Sequence, residues 1–317
     1  MHILFVGGTK WVGLEAAKRA RAEGHTVTIA HSGTHEALLE ADVTHLHGER
    51  DALFAPGGPI EVARADVIVD TFGGSTTEKG RQLGECAVRC DARVVAVSSC
   101  DVYQALTEAG LGDGSGRNLL WNHTLPIDED APLRSEAYPG SNGHDNVAME
   151  TALRATGAAA TSLRPGAIYG IGDTLAREWP LVHRVLDGEH RLELPAAGVQ
   201  LFHRVANERV SRAILAAAER GGEGFWACNV VDPYVWTYAG LAAEVGLILN
   251  WEWEPVSVGF GEAQHPFQLA APALFSDRRL REDLRVTEPD PRAELEKLVR
   301  HYYEHGPREG ALYALKE

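Results

Sequence analysis

Short apolar runs alternate with longer amphipathic stretches from residue 2 to about residue 165. The runs "HILFV" (2–6), "TVTIA" (26–30), "VTHLH" (43–47), "DVIVDTF" (66–72), "RVVAVSS" (93–99) and "ATSLRP" (160–165) are rich in β-branched residues and read as apolar on both faces. Between them lie helix-length stretches, among them "VGLEAAKRARAEG" (12–24) and "STTEKGRQLGECAVRC" (75–90). Strands buried on both sides, taken in turn with helices, predict a parallel sheet covered by helices. The expected fold class is α/β, a Rossmann-type doubly wound sheet carrying a smaller C-terminal lobe.

The rhythm breaks over residues 104–141, which are polar and rich in Gly and Pro around the aromatic island "LLWNH" (119–123). A long irregular segment directly after a sheet strand reads as a functional loop. Further on, "WPLVHRVLDG" (179–188), "NERVSRAILAAAER" (207–220), "TYAGLAAEVG" (237–246) and "PRAELEKLVRHYYEH" (291–305) read as helices, and "FWACNVV" (225–231) as another strand. Asn207 is the expected N-cap of the second helix. The dinucleotide-type lobe is expected to span 1–166 with a return segment at 201–235. Residues 167–200 and 236–317 are left for a substrate lobe over the C-terminal ends of the strands.

The 317 residues carry a formal net charge of −15, which disfavours a nucleic-acid partner that would need a basic face. No apolar run approaches the ~20 residues that span a bilayer, and the first strand starts at residue 2 without a leader pattern. A cytoplasmic protein with reduced thiols is expected, working on a small-molecule substrate with no nucleic acid and no membrane. Cys86 and Cys90 would share a helix face but have no accompanying ligands, and His45 and His47 would share a strand face without a third. No metal site is expected.

"FVGGTKWVGLEAAKRA" follows the first strand and opens a helix. Gly7, Gly8 and Gly13 permit a tight turn, close approach of backbone N–H groups to a phosphate and close helix–strand packing. Thr9, Lys10, Trp11 and Val12 complete the turn. Strand two ends in "IAHSGTHE", where His31 and Ser32 stand in place of an acidic residue that would bond an adenosine ribose. With Lys10 near the pyrophosphate end, this favours NADP and leaves NAD open.

These segments resemble the short-chain dehydrogenase/reductase superfamily, in its extended and atypical form, the bacterial NAD-dependent epimerase/dehydratase family. The resemblance runs through "GGTKWVG", "HLHGERDAL", "VDTFGG", "AVSSCDVY", "SLRPGAIYGIGD" and "FSDRRLREDL", six segments in the family's order. It implies that Glu49 and Arg50 border an adenine, and that Thr71, Phe72, Gly73 and Pro165 lie beside the cofactor. It also implies a homodimer.

The family's chemistry uses a Ser or Thr to orient substrate, a Tyr to transfer a proton, and a Lys to lower the tyrosine pKa. Ser99 matches the serine. The Tyr-x-x-x-Lys helix should run through "SNGHDNVAME", where Glu150 sets the register and leaves Asn142 and Asn146 at the two ionisable positions. None of the chain's five lysines falls there. Asp101, Tyr103, Tyr138 and His144 are the candidate substitutes, and His203 or Arg204 could meet substrate in the cleft. Ala167 replaces an asparagine that the nucleotide-sugar enzymes of the family use, so the resemblance does not carry over a UDP-sugar substrate. Three readings stay open. One is an NAD(P)-dependent oxidoreductase or epimerase/dehydratase-like enzyme. The second is a non-redox isomerase, lyase or cyclase on the same scaffold. The third is a catalytically dead nucleotide-binding protein.

Overall fold

The computed structural model describes residues 1–36, 43–71, 75–111, 121–137, 141, 143–263, 265–287 and 289–312. Phe72, Gly73, Tyr138 and Asn142 lie outside the described residues. The strands are β1 (His2–Val6), β2 (Thr26–His31), β3 (Thr44–His47), β4 (Val67–Asp70), β5 (Arg93–Val97), β6 (Ala160–Pro165), β7 (Ala167–Tyr169), β8 (Arg191–Pro195), β9 (Arg204–Ala206), β10 (Phe225–Val230) and β11 (Glu254–Val258). The helices are α1 (Trp11–Ala22), α2 (Arg50–Phe54), α3 (Pro59–Ala63), α4 (Thr77–Cys90), α5 (Gln104–Glu108), α6 (Asn146–Ala155), α7 (Trp179–Leu186), α8 (Asn207–Arg220), α9 (Tyr238–Leu249), α10 (Arg278–Glu282) and α11 (Pro291–His305).

Seven parallel strands form the main sheet in the order β10-β6-β5-β4-β1-β2-β3. Because successive side chains of a strand point to opposite faces, each central strand feeds two cores. Ile3 and Phe5 of β1 pack under α1 and α8, while Leu4 and Val6 pack against residues of α3, α4 and α6. This explains why the strands read as continuous apolar runs. Among the described residues no helix is long and apolar enough to cross a membrane.

A separate cluster holds the smaller lobe together, with Leu181, Val182, Leu241, Val245, Leu295 and Leu298 from α7, α9 and α11 at its centre. Two parallel strand pairs support it, β7 with β9 and β8 with β11. β9 pairs with β7 over Arg204–Ala206 and Ala167–Tyr169. A further cluster, including Val102, Tyr103, Leu106, Ile127 and Phe275, pins the chain after β5 to the stretch before α10.

In the region after β5, local partners hold the described residues. Trp121 Nε1 donates to Ala105 O at 3.1 Å, and His123 lies 2.7 Å from Glu108. One cap differs from expectation. Ala206, not Asn207, takes the cap position of α8, and Asn207 is the first helical residue. The chain turns straight from β9 into α8 there, and Asp232 Oδ1 accepts from the Ala206 N–H at 3.2 Å.

Candidate active site

Parallel pairing brings the C-terminal ends of β1, β4 and β5 side by side, the place where open α/β sheets bind ligands. The glycine turn follows β1. Gly7 has φ +83°, a conformation that strains residues bearing a Cβ. A Cβ at Gly13 would lie 2.5 Å from Thr71 Oγ1 and 2.9 Å from Gly7 O, so only glycine lets α1 approach the strand ends this closely. A Cβ at Gly8 would lie 2.9 Å from Phe5 Cβ. Thr71 locks the neighbouring strand end by donating its N–H and Oγ1 to Val6 O, each at 3.1 Å.

Lys10 holds the cap position of α1 with its side chain exposed, Thr9 is half-buried beside it, and Val12 packs below into the core. Trp11 adopts φ +42°, and its Nε1 is buried with no partner among the described residues. Backbone amides at a helix N-terminus, an indole N–H and an ammonium fit the diphosphate of a dinucleotide. Ser32 is exposed at the end of β2, whereas His31 is buried. Glu49 is exposed, but Arg50 turns inward, with NH2 2.7 Å from Asp70 Oδ2 and its guanidinium 4.5 Å from the centre of the Phe54 ring. Pro165 is buried as the last residue of β6.

The second half of the site lies past β5. Ser99 Oγ accepts from the Asp101 N–H at 3.0 Å, which shapes the single turn carrying Asp101. The Asn146 amide, at the start of α6, lies 3.0 Å from both carboxylate oxygens of Asp101 and 2.8 Å from His144 Nε2. His144 Nε2 is itself 3.7 Å from Asp101 Oδ2. The Ser75 N–H donates to His144 Nδ1 at 3.0 Å, which puts the hydrogen of a neutral imidazole on Nε2. One buried amide cannot donate both to Asp101 and to a ring N–H, and Asn146 Oδ1 has no partner among the described residues. The trio is therefore left with one hydrogen too many at the Asn146–His144 contact.

Ser75 also ties this half to the glycine turn. It follows β4, four residues after the Thr71 that packs against Gly13, and its carbonyl accepts from the Asp145 N–H at 2.8 Å. Arg134 closes the far side. Its Nε donates to Asp101 O at 3.0 Å, and its NH2 lies 3.0 Å from Asp145 Oδ1 and 3.8 Å from Asp101 Oδ1. A buried guanidinium thus stands beside the Asp101 carboxylate. Nothing in "APLRSE" marks this arginine in the sequence, because its carboxylate partners Asp145 and Asp101 are 11 and 33 residues away.

Tyr103 does not join the group. It is fully buried, donates to Asn229 Oδ1 at 2.6 Å, accepts from Arg164 NH1 at 3.1 Å, and stacks on Phe275. Burial pushes its hydroxyl further from ionisation. Glu150, read as a register mark, is an anchor. It accepts from Ser98 at 2.7 Å, Ser162 at 2.8 Å and Arg164 at 3.1 and 2.6 Å, fixing α6 to β5 and β6.

The cleft candidates are also engaged elsewhere. His203 Nε2 donates to Asp232 O at 2.7 Å and its Nδ1 accepts from the Phe275 N–H at 3.1 Å, so both nitrogens serve the backbone. Arg204 pairs with buried Glu178 and lies 4.5 Å over the Tyr169 ring. Cys86 and Cys90 are free thiols 3.8 Å apart, both pushed up by burial, Cys86 to about 12. His45 and His47 do share a face, but His31 and Glu36 join them, which spacing along one strand could not show.

No family profile matches the chain, and no curated protein matches it. Solved structures do. MoeE5 in complex with UDP-glucuronic acid and NAD is 16% identical with a TM-score of 0.69, covering 95% of this chain and 98% of its own. UDP-glucose 4-epimerase from Thermotoga maritima, solved with UDP-glucose, is 15% identical with a TM-score of 0.70, covering 96% and 99%. The Bordetella bronchiseptica enzyme WbmG, solved with NAD and UDP, is 12% identical with a TM-score of 0.72, covering 96% and 95%. At such identities the likeness is one of fold, and it extends over nearly the whole chain.

Proposed function

We propose that this chain binds a nicotinamide dinucleotide over the glycine turn and acts on a small hydroxyl or carbonyl substrate through a non-standard proton-transfer site. The observation that carries this reading is the Asn146 amide placed between Asp101 and His144, next to Ser99 and tied through Ser75 to the turn that packs on Gly13. Gly7, Gly8, Thr9 and the Trp11 indole would hold the diphosphate. Exposed Lys10 and Ser32 favour NADP, because neither offers a carboxylate to an adenosine ribose. The bound nicotinamide would supply the hydride chemistry.

This chain's own residues would do the rest. Ser99 orients the substrate oxygen, and His144 gives or takes the proton at Nε2. Asp101 stabilises the imidazolium that results, and Asn146 holds ring and carboxylate at fixed separation. A cation no longer stands where the nicotinamide ribose would be gripped, and this favours a second reading, a non-redox isomerase or lyase using the same His144–Asp101 pair.

Calorimetric titration of nucleotide-free protein with NADPH, NADP, NADH and NAD tests the first reading. Micromolar binding of one pair, lost in Gly7→Asp, is the expected result. Absence of binding by all four would overturn it. Binding without any change in nicotinamide absorbance during turnover of a found substrate would select the non-redox reading.

A further inference from the structure

β2 and β3 run parallel with His31 opposite His47 and Ile29 opposite His45. Their imidazoles therefore gather at the outer end of the sheet, and the chain after β2 brings Glu36 back onto them. His31 Nε2 lies 2.9 Å from His45 Nδ1 and 3.9 Å from Glu36 Oε2. His45 Nδ1 is 3.6 Å from Glu36 Oε2, and His47 Nε2 is 3.0 Å from Glu36 Oε1. All four ligand atoms fall within 4.8 Å of one another. A tetrahedral ion with bonds of about 2.0–2.1 Å to nitrogen and oxygen needs ligand atoms roughly 3.3 Å apart, and these separations bracket that value.

We infer that His31, Glu36, His45 and His47 form a binding site for a divalent transition-metal ion of the zinc class. Three imidazoles and one carboxylate are the donor set such an ion prefers, and softer or larger ions gain less from it. Without an ion, the Gly33 N–H that reaches His31 Nδ1 at 3.2 Å makes the His31–His45 contact a hydrogen bond from Nε2 to Nδ1, and an ion would replace that hydrogen. Loaded, the site would tie the edge strand β3 to the chain after β2, an edge with no further neighbour in the sheet among the described residues. The group of Glu23, His25 and Glu219 also comes together, but it has one imidazole, and the N-terminal amine already lies 3.4 Å from His25 Nδ1.

The inference does not rest on the nucleotide reading, since it is tested on nucleotide-free protein. Untagged, chelator-treated full-length protein is titrated with Co(II), read by visible absorption, then displaced with Zn(II). Expected are one equivalent of tight binding, the intense bands of four-coordinate cobalt, and a rise in melting temperature with Zn(II). His47→Ala and Glu36→Gln remove half-exposed side chains and leave the core intact. Each should weaken binding by more than about tenfold, since loss of even an outer partner of a metal ligand costs 10–100-fold. His25→Ala should bind as the parent does. Failure to bind Co(II) at micromolar concentration, a weak six-coordinate spectrum, or equal binding by His47→Ala, Glu36→Gln and the parent would overturn the assignment.

Discussion

Replacing Glu150 by Gln isolates the interaction that holds α6, and with it Asn146, against the sheet. The carboxylate is 3% exposed and Arg164 is 1% exposed, so neither charge has water to fall back on. Arg164 reaches both carboxylate oxygens, at 3.1 and 2.6 Å, while two serines share Oε1. In the Gln variant one of those oxygens becomes an N–H donor facing either the guanidinium or the serine hydroxyls. An uncompensated buried charge remains. Breaking a buried pair from one side costs about 3–5 kcal/mol. At about 2 °C per kcal/mol for a chain of this size, the melting temperature should fall by roughly 6–10 °C. The assay is urea unfolding and thermal melting followed by circular dichroism. Glu150→Leu combined with Arg164→Met removes both charges together and should cost less than Glu150→Gln alone. A loss below about 1 kcal/mol for Glu150→Gln, or a double variant no better than the single one, would refute the reasoning.

Asp101→Asn and His144→Phe should each keep nucleotide affinity while lowering turnover of a found substrate by roughly 10²–10⁴-fold, the usual range for a lost acid–base group; equal turnover in either variant would remove that residue from the site. Gly13→Val should cost about 1–3 kcal/mol by overpacking against Thr71 and Gly7 and should abolish nucleotide binding, as read by melting and calorimetry. His203 is held neutral, its pKa pulled down to about 4 by burial. Its contribution is therefore complete above pH 6.5 and fades as the pH falls towards 4. Asp232, pushed up to about 6 by burial, acts oppositely, its contribution being lost as pH rises through 6. The urea midpoint of the parent should exceed that of His203→Gln by more at pH 7 than at pH 5, and a difference independent of pH would contradict this assignment.

Much of the fold was determined by the sequence alone. Strand periodicity, glycine positions and helix-length spacing act over a few residues, so the expected strands β1, β2, β6 and β10 and the helix over 291–305 appear where the pattern puts them. The glycine turn was legible for the same reason, since Gly7 and Gly13 answer to φ and to a neighbour's Cβ. The Asn at position 146 could be read as a missing lysine, but not what it touches. Tertiary structure decided that Tyr103 faces Asn229 instead of the site, that Arg134 backs Asp101, and that His31 and Glu36 join His45 and His47. Each is a meeting of side chains from different strands and loops. Local pattern places a residue on an element and a face, whereas the partner across the gap depends on how whole elements pack.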